Sequence, residues 1–216
     1  MFSECVSTQS EETPRNWFSS GPALVLYVAL TKLLIQLAVA GRYGYHVDEL
    51  YFLACGEHLD WGYVDHPPLV VWVTRLVQLV SGDSLYSLRL LPALAGAALV
   101  WMTGALTREL GGGRYAQLLA AIAVLATPFY LQAHSVLTMN AFEPLLWTGC
   151  AYCAVLAIAR EQPRYWIWSG IVVGVGLLNK YSILLFAASI VLGLLLTPAR
   201  RWLKAPQIWM GGRWRC

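Results

Sequence analysis

Apolar positions in this chain come in long unbroken runs, not in the alternation of a half-buried strand or the spaced stripe of a soluble amphipathic helix. Runs at 22–40, 86–106, 115–132, 144–159, 165–178 and 183–197 approach the ~20 residues a helix needs to cross ~30 Å of hydrocarbon. They predict an all-α, multi-pass membrane protein with six spanning helices. The membrane domain covers 22–206, between a tail at 1–21 and a short tail at 207–216. A further run, 67–80, opens with Pro67-Pro68 and carries Arg75 near its middle. An arginine at the centre of a span costs ~2.5–3.5 kcal/mol, and the Leu, Val and Trp residues of this run form a face suited to a helix lying at the membrane interface.

The placement of cations gives an independent test, because basic residues accumulate on the cytoplasmic side. If 67–80 does not cross and the N-terminus is cytoplasmic, Arg108, Arg114, Arg160, Arg164, Arg200, Arg201 and Lys204 all fall inside. The outer segments, 41–84, 133–143 and a tight turn at 179–182, then keep Arg42, Arg75 and Lys180. Letting 67–80 cross would move the basic cluster outside. The first arrangement is the expectation, with one large outer loop between the first and second spans and a bacterial plasma membrane as the location.

Composition agrees and removes some function classes. The chain has 216 residues, 58% hydrophobic and 12% charged, about half the ~25% charged residues of a soluble domain; the mean hydropathy is +0.55. Ten tryptophans and eleven tyrosines suit a chain with two membrane–water boundaries. A net charge of +3 is too small to point to nucleic acid. Cys150 and Cys153 lie within an apolar run and read as small packing residues, and Cys5, Cys55 and Cys216 complete no disulfide framework. Glu4, Glu11, Glu12 and Arg15 make the start unlike a cleavable signal, so the first run is expected to act as a retained anchor. Gly170 and Gly174 form a small-xxx-small pair expected to allow close helix packing. The end, Arg213-Trp214-Arg215-Cys216, reads either as a short polar ending or as a truncated or frameshifted copy of a longer protein.

Candidate chemistry collects in the outer loop. It holds Arg42, His46, Asp48, Glu49, Glu57, His58, Asp60, Asp65 and His66 among aromatic and apolar residues, a mixture suited to a loop folded onto the membrane surface. Acids held there, partly desolvated, are expected to titrate above free carboxylates, which suits general-base work.

The sequence His46-Val47-Asp48-Glu49-Leu50-Tyr51, followed by Trp61-Gly62-Tyr63-Val64-Asp65-His66-Pro67-Pro68-Leu69, resembles the first luminal or periplasmic loop of GT-C-fold glycosyltransferases. The branch is that of protein O-mannosyltransferases and lipid A aminoarabinose transferases. The resemblance covers roughly 22–206 and the N-terminal half or less of such an enzyme. It implies a GT-C-like fold with interfacial helices in this loop. The implied activity is inverting transfer of a sugar from a polyprenyl-phosphate donor to a glycan, lipid or protein acceptor outside the cytoplasm. Asp48 matches the family's catalytic acid, with Glu49 beside it as an orienting group or a water-facing one. The departing phosphate calls for a cation or a divalent metal ion. His66, Arg42, Arg75 and Lys180 are the candidate cations, and Asp65 with His66 the candidate metal ligands. Where aminoarabinose transferases have Glu-Lys before the Pro-Pro pair, this chain has Asp65-His66, which trades a permanent cation for a titratable one. Asn140 stands where the family often has a second aspartate, with Glu143 one turn on as a substitute or a plain helix-start acid. Two other readings stay open: a non-catalytic membrane fragment, and a transporter or lipid-binding protein, for which Lys32 and Gln36 in the first span are the residues available.

Overall fold

The computed structural model describes residues 19–204, and these are helical with no strand among them. The tail residues before 19, the 207–216 tail, Cys5 and Cys216 lie outside the described residues. Nine α-helices follow in order: α1 Gly21–Val39, α2 Val47–Gly56, α3 Leu69–Ser81, α4 Leu85–Glu109, α5 Arg114–Ala126, α6 Pro128–Ala133, α7 Met139–Ala159, α8 Arg164–Asn179 and α9 Ile183–Leu195. A 3-10 helix, Pro198–Lys204, closes the described chain.

The chain is an all-α multi-pass membrane protein. Helices α1, α4 and α7 are long and apolar enough to cross a bilayer, at 19, 25 and 21 residues. The other three runs give shorter helices. The run at 115–132 divides into α5 and α6 because Thr127 is extended and Pro128 opens the next helix, where a proline lacks the N–H that would continue the ladder. Helix α7 begins at Met139, five residues before the run expected at 144, with Pro144 inside it. The proline breaks the bond to the carbonyl of residue 140, and Asn140 is exposed, so water can satisfy that group.

The ends of α1 and α4 fix the course of the segment between them. Arg89, in the first turns of α4, donates through Nη1 to the carbonyl of Ala40 at the end of α1, 2.7 Å away. The segment between them starts and finishes at one end of the bundle, so α3, 13 residues long, does not by itself carry the chain across. Helices α2 and α3 pack into a small core of Phe52, Val70, Val71 and Val77, seated on Leu88 of α4 and Leu137 of the 134–138 loop. Leu76, Leu79 and Val80 of α3 face outward. At the opposite end Arg160 pairs with Glu109 at 2.6 Å, which puts the ends of α4 and α7 together beside the basic residues.

Close approaches between helices occur where small residues permit them, though not at the expected pair. A side chain added at Gly170 or Gly174 would meet nothing within 4 Å, whereas one at Gly104 would lie 2.6 Å from Val25 of α1. The α1–α4–α5 contact is built on Val25, Ala29, Val100 and Ala121. Cys150 faces Ser169 of α8, Sγ to Oγ 3.2 Å, as a packing residue does.

Candidate active site

Helix α2 presents the Asp48-Glu49 pair and separates its members. His46 caps the helix: its side chain accepts from the backbone of the first turn, and Glu49 Oε2 accepts from the His46 N–H at 2.8 Å. This reciprocal arrangement satisfies N–H groups that a helix start leaves unbonded. Adjacent helical residues point about 100° apart, so Glu49 turns inward and Asp48 outward.

Glu49 does not face water; it is 1% exposed. Arg89 reaches it with Nε at 3.0 Å from Oε1 and Nη2 at 2.8 Å from Oε2, and the Leu137 N–H adds a bond to Oε1 at 3.1 Å. The rest of the guanidinium binds the carbonyls of Ala40, Tyr43 and Gly44. The expectation that a surface-held acid titrates high is reversed at this residue. Burial pushes the Glu49 carboxyl up, but hydrogen bonds from Arg89 and from the His46 and Leu137 N–H groups outweigh it and hold the group below the usual carboxylate range. Its stabilising contribution is therefore complete above the unfolded value of ~4.3 and is lost as pH falls through the lower folded value. The difference in unfolding temperature between wild type and Glu49→Gln is expected to be widest at neutral pH and to shrink below about pH 4. A difference that stays constant from pH 7 to pH 3 would contradict this.

Asp48 is the outward member, with half of its side chain exposed and Oδ2 3.9 Å from His46 Nδ1. Its carboxylate accepts no hydrogen bond among the described residues. Tyr51 lies one turn on, on the same helix face, and donates its hydroxyl to Asp65 Oδ1 at 2.8 Å. That bond raises the Tyr51 phenol above its ordinary value. Asp48 and Asp65 thus come to one exposed face with Tyr51 between them.

His66 goes the other way. Its side chain is fully enclosed, stacked on Tyr63 at 4.9 Å and edge-on to Phe52 and Tyr51. Nδ1 lies 2.9 Å from the Pro67 carbonyl, and Nε2 lies 3.8 Å from Asp65 Oδ1. Among the described residues no group of three or more His, Cys, Asp or Glu side chains comes together. Asp65 and His66 alone are fewer than the three or four protein ligands of a zinc centre. Arg42 is exposed, its Nε 3.4 Å from the Ala38 carbonyl, and Arg75 is half-buried on α3.

The second cluster forms where α7 starts and α8 gives way to α9. Lys180 Nζ donates to Asn140 Oδ1 and to Glu143 Oε2, both at 2.9 Å, and the Ser182 hydroxyl donates to Glu143 Oε1. Asn179 ties the α8 end to the α7 start through the Met139 carbonyl at 2.9 Å. Three residues picked from two distant stretches therefore meet. Below them a groove of ≈ 360 Å³ runs past Glu143, Pro144 and Trp147 to Phe129, Tyr130 and Phe186. A second cavity of ≈ 480 Å³ lies between the two outer segments, walled by Tyr43, Tyr45, His46, Gln132 and Ser135.

Sequence reasoning passed over Arg89. The available signal was a lone cation four residues into an apolar run, which needs an anionic partner to be tolerated.

The class defined by these features is a helical, multi-pass membrane protein whose candidate site residues gather at one end of the bundle. A family model described as dolichyl-phosphate-mannose-protein mannosyltransferase matches residues 65–213, more than half of the chain, and the chain belongs to that family. The match begins at Asp65, downstream of Asp48-Glu49. The chain is 30% identical over 164 residues to the lipid A galacturonosyltransferase RgtD of Rhizobium johnstonii, covering 73% of this chain and 33% of that protein. It is 31% identical over 125 residues to the undecaprenyl phosphate-alpha-4-amino-4-deoxy-L-arabinose arabinosyl transferase 1 of Pseudomonas fluorescens, covering 55% of this chain and 21% of that protein. The chain thus spans about a third of the first relative's length and about a fifth of the second's. No solved structure matches.

Proposed function

We propose that this chain carries the outer-loop half of an inverting glycosyltransferase that takes a sugar from a polyprenyl-phosphate donor on the outer side of a bacterial plasma membrane. The observation that carries the reading is the split at α2: Glu49 is locked by Arg89, which leaves Asp48 exposed on a fixed helix start. In this reading Asp48 takes the proton of the acceptor hydroxyl as that oxygen attacks the anomeric carbon. The bond to the donor phosphate breaks on the opposite face. Glu49 holds the helix start in place. Lys180 is the cation nearest in role to the departing phosphate, with Asn140 and Glu143 orienting it. The aromatic groove below Glu143 is suited to the donor's isoprenoid chain, and the cavity beside His46 to the acceptor. Lipid A is the acceptor class to try first, after the galacturonosyltransferase relative.

The test presents the full chain, in membranes, with a radiolabelled undecaprenyl-phosphate sugar and lipid A. Label moving to lipid A supports the reading. The absence of both transfer to lipid A and saturable retention of the donor by the membranes would overturn it.

A further inference from the structure

One buried cation lies outside this arrangement. Lys32, in the middle of α1, is 0% exposed, and no carboxylate pairs with it among the described residues. A lysine at that depth costs ~2.5–3.5 kcal/mol on insertion, so its partner indicates its use. Nζ donates to the Tyr130 carbonyl at 3.3 Å, and Gln36, one turn on, donates to the Leu131 carbonyl at 2.9 Å. Both carbonyls belong to α6, the six-residue helix isolated by Thr127-Pro128. Carbonyls at a helix end carry the negative end of the dipole, so a side-chain cation is a suitable cap; the Tyr130 carbonyl also accepts from the His134 N–H at 3.4 Å. His134, 0% exposed, joins the same carbonyl through Nδ1 at 2.6 Å from Tyr130 O.

The space for this cluster is made by α4. A methyl group at Gly96 would lie 2.8 Å from Lys32 Cε and 2.8 Å from His134 Cγ. Immediately after α6 runs the 134–138 loop, whose other anchor is the Leu137 N–H on Glu49. Ser135 and Val136, between the anchors, wall the cavity that His46 also lines. The loop therefore hangs between a pin deep in α1 and the carboxylate beside Asp48.

We propose that Lys32 is a positioning residue for the transfer reaction: through the α6 carbonyl it holds the 134–138 loop against Glu49 and the cavity beside His46. This rests on the glycosyl-transfer reading above, and the test reads the two separately. Hydrogen exchange of the full chain in membranes, followed by mass spectrometry, compares wild type with Lys32→Met and with Gly96→Ala, which disturbs the same cluster without removing the amine. Exchange in peptides covering 134–138 is expected to quicken at least about tenfold in both variants, the effect of losing one charge-assisted hydrogen bond, with α8 peptides unchanged. Unchanged exchange at 134–138, or equal acceleration in α8, overturns the proposal. In the donor assay Lys32→Met is expected to lower kcat and leave the donor KM unaltered; a raised KM with unaltered kcat also overturns it. A wild-type chain that turns over no donor counts against the transfer reading, and the exchange result then decides the loop's attachment alone.

Discussion

Asp48→Asn is expected to cut sugar transfer by at least ~100-fold, the lower bound of what a positioned general base contributes, while leaving the unfolding temperature where it was. Both halves follow from one geometry. The Asp48 side chain is half exposed and its carboxylate accepts no hydrogen bond among the described residues, so an asparagine of the same size removes the base and little else; exposed substitutions of this kind shift stability within about 0.5 kcal/mol. The measurement is initial rate at saturating donor, paired with a thermal melt of the same preparation. Full activity in Asp48→Asn would remove Asp48 from the chemistry. Lost activity together with a lowered melt would make it a structural residue.

Arg89→Met is expected to do the opposite, lowering stability by ~3–5 kcal/mol because it leaves the Glu49 carboxylate buried without its cation. Five hydrogen bonds go with the guanidinium, two to Glu49 and one each to Ala40, Tyr43 and Gly44. Adding Glu49→Gln to Arg89→Met should recover part of the loss, since no lone buried charge remains. The comparison is the unfolding midpoint of the two single variants and the double variant in one detergent. A double variant whose loss equals the sum of the two single losses would show that the residues do not act as a pair.

How much of this was legible in the sequence depends on the range of the interaction. Three helices of spanning length, α1, α4 and α7, were readable because burial in lipid demands long apolar runs, while the other three expected spans gave shorter helices. The return of the α1–α4 segment to one end of the bundle agrees with the grouping of Arg108, Arg160 and Arg164 at the other. The Asp48-Glu49 pair was visible as a motif, but its division into one locked and one exposed acid was not. That division depends on Arg89, forty residues away, and on Leu137, eighty-eight residues away. His66 read as a loop cation, and only the packing of Tyr51, Phe52 and Tyr63 around it shows that it is enclosed. Lys32 and Gln36 stand in the first span as the residues available to a transporter or lipid-binding reading. Their partners are visible only once α6 is seen as a short helix that Pro128 starts and that ends at Ala133, with the Tyr130 and Leu131 carbonyls toward α1. The meeting of Asn140, Glu143 and Lys180 was foreshadowed by topology, because both stretches were expected at the same end of the bundle, while their bonding was not.

The split at α2 also bears on how such chains age. Position 48 can change its chemistry at almost no structural expense, whereas 49 and 89 can change only together. If Asp48 is the base, a descendant that keeps its shape after losing turnover is expected to show drift at 48 beside an intact Glu49 and Arg89. That three-position signature would separate silent copies from working ones in genomes, before any of them is purified.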